Sequence, residues 1–278
     1  MFTFAIVFFK IMLELNIMAQ KIIYYKDELN DEFSGDNIKP KTIDGKWKYI
    51  HKSIFKKFTH IFWLRIVIAP IFYWTAKIKY HHKIIGKRKL KPYKKEAIFM
   101  YGNHTHNFCD TFIPALANGY KDVYLICNPQ NVSIPVLGPI CPSLGALPLP
   151  GDFEAAKNFK KAIDYHVSKK KCIMIYPEAH IWPYYTHIRP FVDASFRYPL
   201  EYDTKTFCIT NVYKKRRFSK TPKIVTYVDG PFLINKDLPK KEAREDLRNQ
   251  VYNKMVERSK ENNYEYIKYI KIEEDKND

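Results

Sequence analysis

Cysteine is scarce and unpaired in pattern. The five residues Cys109, Cys127, Cys141, Cys172 and Cys208 are odd in number, widely spaced and form no Cys-x-x-Cys motif. Neither a disulfide framework nor a zinc ribbon is indicated, and the thiols fit a reducing cytosol. Also missing is any run of about 20 apolar, nearly uncharged residues, the minimum for a spanning helix. The opening FTFAIVFF has no basic start and is broken by Lys10 and Glu14, so it makes a poor secretory signal. Met18 offers an alternative start, which leaves residues 1–17 open between a membrane-touching N-terminus and an extension outside the native protein. Internal repeats are absent. Acidic residues are few: 29 Asp and Glu against 47 Lys and Arg give a formal net charge of +18. Such a balance points to an anionic partner, whether phospholipid headgroups, nucleic acid or an acidic carrier protein.

What is present describes a folded chain. Hydrophobic residues make up 46% of the 278 positions, enough to bury a core without staples. Aromatic residues reach 16%, and Tyr and Trp suit boundaries that are half apolar and half wet. Residues 1–53 read as an N-terminal extension whose polar stretch 26–48 forms a surface strap. The segment 54–80 contains IFKKFTHIFWLRIVIAPIFYWTAKI, strongly apolar but interrupted by Arg65 and Pro70 and flanked by Lys56, Lys57, Lys77 and Lys79. It fits a membrane-associating helical segment lying in one leaflet, with lysines snorkelling and Trp63 and Trp74 at the interface. A buried core helix and a full span are the alternatives.

From residue 81 strands and helices alternate. Strands are expected near 82–86, 96–101, 122–127, 145–149, 172–176, 206–212 and 223–229, and helices near 110–118, 152–169 and 239–260. This order argues for an α/β fold with a mixed, largely parallel sheet flanked by helices, occupying residues 81–260 as one catalytic domain. Ala156, Phe159, Ile163 and Val167 form a core-facing stripe on one helix, and Ala243, Leu247, Val251 and Met255 do so on the last. Residues 261–278 read as a charged, frayed tail.

Two stretches carry chemistry. In AIFMYGNHTHNFCDTFIP an apolar strand ends in Asn103 and His104 and is followed by Asp110. An imidazole at a strand end, with a carboxylate holding its other nitrogen, is a general base for a hydroxyl proton. Asp110 also suits the cap of the helix that follows. In CIMIYPEAHIWPYYTHIRPF a second strand runs into Pro177 and Glu178, with His180 and Arg189 beyond. A carboxylate there orients a hydroxyl, and a guanidinium grips phosphate in bidentate fashion.

Together these blocks resemble the glycerophospholipid acyltransferase family of the lysophosphatidate acyltransferase type, from about Ile54 to Ile234. The resemblance rests on Asn103-His104 followed by Asp110, on Ile134-Pro135 with Gly138, on a Gly-led strand from Gly145 with a helix after it, and on Tyr176-Pro177-Glu178. It implies an acyl group passed from coenzyme A or acyl carrier protein to a lysophospholipid hydroxyl, with no cofactor and no metal. His104 is then the base and Asp110 its orienter. Asn103, Pro177, Glu178 and Arg189 belong to substrate binding, and backbone amides near Gly138 and Gly145 are candidates for the oxyanion. The implied partners are an anionic membrane surface and the thioester carrier rather than nucleic acid. The implied place is the cytoplasmic face of the cell membrane, peripheral or monotopic, and the oligomeric state is left unspecified.

The departures are specific. The family places four residues between His and Asp, whereas five separate His104 from Asp110 and three separate His106 from it, so either histidine fits. Asn103 favours His104. Pro150 and Ala179-His180-Ile181 stand where the family has phosphate-binding arginines, leaving Arg189 or Lys157 as substitutes. The main rival is a metal-dependent hydrolase built on His104, His106 and Asp110 with Glu178 and His180. A purely binding module, resting on Lys87–Lys95 and the Lys214–Arg217 run, is the other.

Overall fold

The computed structural model describes residues 21–33, 38–50, 58, 62–106, 109–119, 121–135 and 137–272, without the side chains of 63–65. The alternative reading of residues 1–17, most of the segment 51–61 and the last six residues lie outside the described residues.

Seven strands form the main sheet: β2 (Lys83–Ile85), β3 (Ile98–Gly102), β4 (Val123–Cys127), β5 (Ala146–Pro148), β6 (Cys172–Ile175), β7 (Lys205–Arg216) and β8 (Ser219–Phe232). Their spatial order is β2-β8-β7-β3-β6-β4-β5. Only the β7–β8 pair is antiparallel, so the sheet is mixed and largely parallel. The central β3 and β6 are buried at every position, IFMYG and CIMI. Strands covered on both faces are continuous apolar runs rather than alternating ones, which is why they are legible in the sequence. Because β3 and β6 are parallel neighbours, with Tyr101 opposite Ile175, their C-terminal ends emerge side by side. That adjacency positions the site.

Helices α1 (Ala69–Tyr80), α2 (Cys109–Asn118), α3 (Phe153–Ser168), α4 (Arg197–Tyr202) and α5 (Lys240–Ser259) flank the sheet. On α5 the buried residues are Ala243, Leu247, Val251 and Met255, the expected stripe. On α3 the buried face is Ala155, Phe159, Ala162, Ile163 and His166, so it is turned from the expected one, and Ala156 is exposed. The turn is set at the helix start, where Asp152 caps Ala155 N at 2.7 Å and its other oxygen accepts from Gly45 N at 3.2 Å. Asp152→Ala is expected to lower stability by about 1 kcal/mol in chemical denaturation, the usual worth of an N-cap. The strap residue Ile43 is buried beside this helix start, pinned by Gly151 N donating to its carbonyl at 2.9 Å.

The frayed-tail reading is corrected. Residues Ile267–Lys271 form β9, which pairs in parallel with β1 (Lys21–Tyr25) in a separate two-stranded sheet. Ile23 and Ile267 are buried between this sheet and the core.

Around 62–80 a wider helical stretch, Phe62–Ile68, leads into α1. Among the described residues no helix is long and apolar enough to cross a membrane. Helix α1 buries Phe72, Ala76 and Tyr80 while Ile71, Tyr73, Trp74 and Ile78 stay exposed.

Candidate active site

Strand β3 ends at Gly102, whose lack of a side chain leaves room for those of its neighbours. A Cβ at this position would lie 2.6 Å from Met174 Cε and 2.8 Å from Tyr176 Cε1. The close approach lets the Tyr176 ring lie beneath His104, with centroids 4.4 Å apart and planes 13° from parallel. Tyr176 in turn donates its hydroxyl to the Asp110 carbonyl.

His104 Nδ1 is 3.0 Å from Asp110 Oδ2. The same oxygen accepts from the backbone N–H groups of Thr105 and His106, both at 2.8 Å, and Oδ1 accepts from Asn211 Nδ2 at 2.9 Å. Asp110 is therefore not the cap of α2, since its donors precede it in the chain. With two backbone N–H groups already donating to Oδ2, the geometry suits the tautomer in which His104 Nδ1–H is a third donor and Nε2 presents a lone pair. Among the described residues Nε2 has no protein partner, and the side chain keeps 18% of its surface exposed.

His106 is differently placed. It is buried, its Nδ1 accepts from Cys109 N at 3.3 Å, and its Nε2 faces the Tyr184 hydroxyl at 3.3 Å. Only its backbone N–H reaches Asp110. Burial, above all, pushes its pKa down to about 4, with Asp110 opposing. Of the two histidines that the spacing allows, geometry gives His104 the carboxylate.

Behind this pair lies a buried polar layer. Asn103 and Asn211 bridge the ends of β3 and β7: Asn103 Nδ2 donates to Asn211 O at 3.0 Å, and Asn211 N donates to Asn103 Oδ1 at 2.8 Å. Asn211 Oδ1 accepts from Thr226 Oγ1 at 2.6 Å, and Thr226 meets His82 Nε2 at 2.9 Å. The chain of donors runs from His82 through Thr226 and Asn211 to Asp110, and burial pushes the His82 pKa down to about 4. Neither Asn211 nor Thr226 was singled out by the sequence reading. An Asn inside the apolar strand CITNVY is the signal that was there, since strands disfavour Asn.

The second stretch converges on the first through its backbone. Glu178 Oε2 accepts from His104 N at 3.0 Å, while His104 O and Thr105 O accept from Trp182 N and Tyr184 N at 3.1 and 2.8 Å. Glu178 Oε1 accepts from Arg189 N at 3.1 Å, and the Arg189 guanidinium is 3.5 Å from Oε2. Both side chains are fully enclosed. The guanidinium also donates to the carbonyls of Glu28 and His180 and lies 4.9 Å from the Trp182 ring. Burial pushes the Glu178 carboxyl up and the Arg189 guanidinium down, and each partner counteracts the shift in the other. The Arg189 guanidinium keeps its proton, as guanidinium groups do in proteins.

Three of the four residues assigned to substrate binding thus have a supporting place. Asn103, Glu178 and Arg189 are buried at 2%, 4% and 1% exposure with their polar groups turned to the protein, so Arg189 has no face toward a phosphate. Pro177 is half-buried in the turn. Lys157 sits on the solvent side of α3, paired with Glu154 at 2.8 Å and over the Phe153 ring. Of the amides near the two turns, those of the glycines themselves are already engaged: Gly138 N donates to Ile134 O at 2.7 Å and Gly145 N to Pro142 O at 3.2 Å.

Asp110 Oδ2 accepts from backbone N–H groups and the His106 ring is turned to Cys109 N and the Tyr184 hydroxyl. Among the described residues no cluster of three His, Cys, Asp or Glu is arranged to hold an ion.

Two of the buried histidines, His82 and His106, make stability acid-sensitive. Their pKa lies at about 4, below the 6.5 of an open chain, so between those values the unfolded chain takes up protons the native one refuses. Stability is complete above pH 6.5 and falls toward pH 4, by up to about 3 kcal/mol for each ring. Denaturant titrations across this window are expected to show the fall, and His82→Gln should roughly halve it.

Neither a protein-family model nor a curated protein sequence matches the chain. The crystal structure of the 1-acyl-sn-glycerophosphate (LPA) acyltransferase PlsC from Thermotoga maritima aligns with 76% of this chain and 89% of its own, at 14% identity and a TM-score of 0.51. The chain therefore shares the α/β fold of that acyltransferase.

Proposed function

We propose that the protein is an O-acyltransferase that moves a fatty acyl group from a thioester, on coenzyme A or acyl carrier protein, to the hydroxyl of a lysophospholipid in phospholipid biosynthesis. The acceptor of first choice is 1-acylglycerol-3-phosphate. One observation carries the reading: His104 is braced through Nδ1 by a saturated Asp110 while Nε2 is left for a substrate. In the reaction Nε2 takes the acceptor's hydroxyl proton as the oxygen bonds to the thioester carbonyl carbon. The tetrahedral oxyanion collapses, the C–S bond breaks, and the imidazolium returns its proton to the leaving thiolate. Asp110 stabilises that imidazolium, as carboxylates do in hydrolase triads. The enzyme forms no covalent intermediate and the chemistry calls for no cofactor.

The fold shared with an LPA acyltransferase supports this reading, as does the exposed apolar face of α1 with Ile71, Trp74 and Ile78. That face favours a peripheral or monotopic place on the cytoplasmic side of the cell membrane. Since Arg189 is enclosed, the headgroup preference is an open variable of the assay rather than a premise. The test is a matrix of acyl-coenzyme A and acyl carrier protein donors against lysophospholipids with phosphomonoester, zwitterionic and glycerol headgroups. Ester formation with one thiol released per ester is expected for at least one pair; no transfer to any acceptor would remove the assignment.

A further inference from the structure

The hairpin of β7 and β8 outruns the sheet that contains it. Strand β3 pairs with β7 only along Lys205–Ile209, and β2 pairs with β8 only along Val225–Tyr227. Past Val212 and Val225 the two strands pair with each other alone, as far as Arg216 opposite Ser219. An isolated two-stranded arm is marginal in water. This one is braced along its outer edge, where Asn262 Oδ1 accepts from Tyr213 N at 2.7 Å and Asn263 Oδ1 from Lys215 N at 2.9 Å. The fold therefore invests in holding the arm out.

Its tip is built for a surface. Phe218 is 90% exposed, the most of the large apolar side chains among the described residues, and the Arg217 guanidinium lies 5.1 Å from its ring. Lys215, Arg217 and Lys220 around it are exposed and have no acidic partner among the described residues. Lys214 is paired with Glu261 at 3.2 Å and so contributes less. A turn needs only a tight backbone and favours Asn-Gly chemistry, so neither the phenyl ring nor the cations serve the turn itself.

The tip is joined to α1. Arg216 donates to Lys79 O at 2.8 Å and meets His81 Nε2 at 2.9 Å, at the end of the helix whose Ile71, Trp74 and Ile78 are 44%, 61% and 70% exposed. At the same helix end the Tyr80 ring packs on His106, two residues from the catalytic imidazole, with centroids 4.9 Å apart. An apolar helix face, a cationic hairpin with an exposed ring and the catalytic loop thus form one neighbourhood.

We propose that the β7–β8 tip, Lys215 to Lys220, is an anionic-lipid anchor: Phe218 enters the headgroup region, and Lys215, Arg217 and Lys220 pair with lipid phosphates. The occupant is a phospholipid bilayer carrying net negative charge. Aliphatic Ile78, next to the Lys79 that Arg216 contacts, and Ile71 about two turns back along the same helix suit hydrocarbon and offer nothing to a nucleic acid, whose recognition uses stacking and polar groups. The inference rests on the reading above in that it names part of the surface through which the enzyme meets its lipid.

The test is partition of the full chain onto vesicles of phosphatidylcholine alone and of phosphatidylcholine with phosphatidylglycerol, by sedimentation at low and high salt. Wild type is expected to bind the anionic vesicles in a salt-sensitive way. Phe218→Ser and the double variant Lys215→Glu/Arg217→Glu are expected to bind them at least about tenfold more weakly. All three positions are exposed, and circular dichroism verifies that the variants fold. Equal partition of variants and wild type would overturn the proposal, and so would tip variants that lose duplex DNA binding while keeping vesicles. Partition is read without catalysis. A chain that partitions through its tip yet transfers no acyl group removes the proposed function and keeps the anchor; a chain that transfers acyl groups in micelles while its tip variants partition normally does the reverse.

Discussion

Asp110→Asn is expected to lower acyl-transfer turnover by about a thousandfold or more while leaving the chain folded, an effect of the size seen when a triad carboxylate becomes an amide. Three donors share Oδ2: the His104 ring and the N–H groups of Thr105 and His106. An amide at this position has one oxygen and one NH2 group. If the amide oxygen keeps the Oδ2 place, the NH2 is set against Asn211 Nδ2; if the amide is flipped, the NH2 is set against the Thr105 and His106 N–H groups and the His104 ring. The flipped amide favours the tautomer with the lone pair on Nδ1, so Nε2 no longer accepts a substrate proton, and in both arrangements the negative charge that stabilises the imidazolium is gone. His106→Ala separates this account from one in which either histidine serves. Its ring touches Tyr80, Tyr184 and Cys109 rather than the Asp110 carboxylate, so the variant should lose stability but keep turnover per folded molecule. Steady-state kinetics normalised to the folded fraction gives both numbers.

Glu178→Ala is expected to lower stability by about 3–5 kcal/mol, because it strands a guanidinium in the interior. Arg189 is enclosed, its Nε has no partner among the described residues, and its remaining contacts are to carbonyls and to the face of Trp182. Against a typical total of about 5–15 kcal/mol such a loss is severe. It also frees the His104 and Arg189 amides, so turnover of the surviving folded fraction should fall. The paired change Glu178→Met/Arg189→Met should cost much less than the single substitution, since no charge remains to be solvated. Denaturant midpoints for the three proteins decide it: a Glu178→Ala variant within about 0.5 kcal/mol of wild type, the range of a surface substitution, would mean the pair is not what holds the loop.

The same pair shows where sequence reading ran out. Strands β3 and β6 are legible because apolar residues fill them on both faces, and the contact of His104 with Asp110, the proposed catalytic pair, is legible because the two are close in the chain. Glu178 and Arg189 were visible as residues but not as a buried unit. Whether an arginine after a turn faces water depends on Trp182, which stacks on Tyr269 of β9 and donates to Asp31 O after β1. Those partners come from the two ends of the chain. Strand β9 is marked only by the β-branched and aromatic residues of YIKYIKI, whose lysines recur every third position instead of alternating, and its partner β1 lies near the opposite end of the chain. Asn211 was missed for a related reason: its bond to Asp110 exists only because β7 lies beside β3, an adjacency that no local pattern encodes.

The account stands on one imidazole. Purified wild type and His104→Ala, at equal folded concentration, should be compared for ester formed and thiol released from an acyl thioester and a lysophospholipid. The prediction is matched release of thiol and formation of ester by wild type, and a loss of about a hundredfold to ten-thousandfold in the variant. Turnover in His104→Ala equal to that of wild type would contradict it.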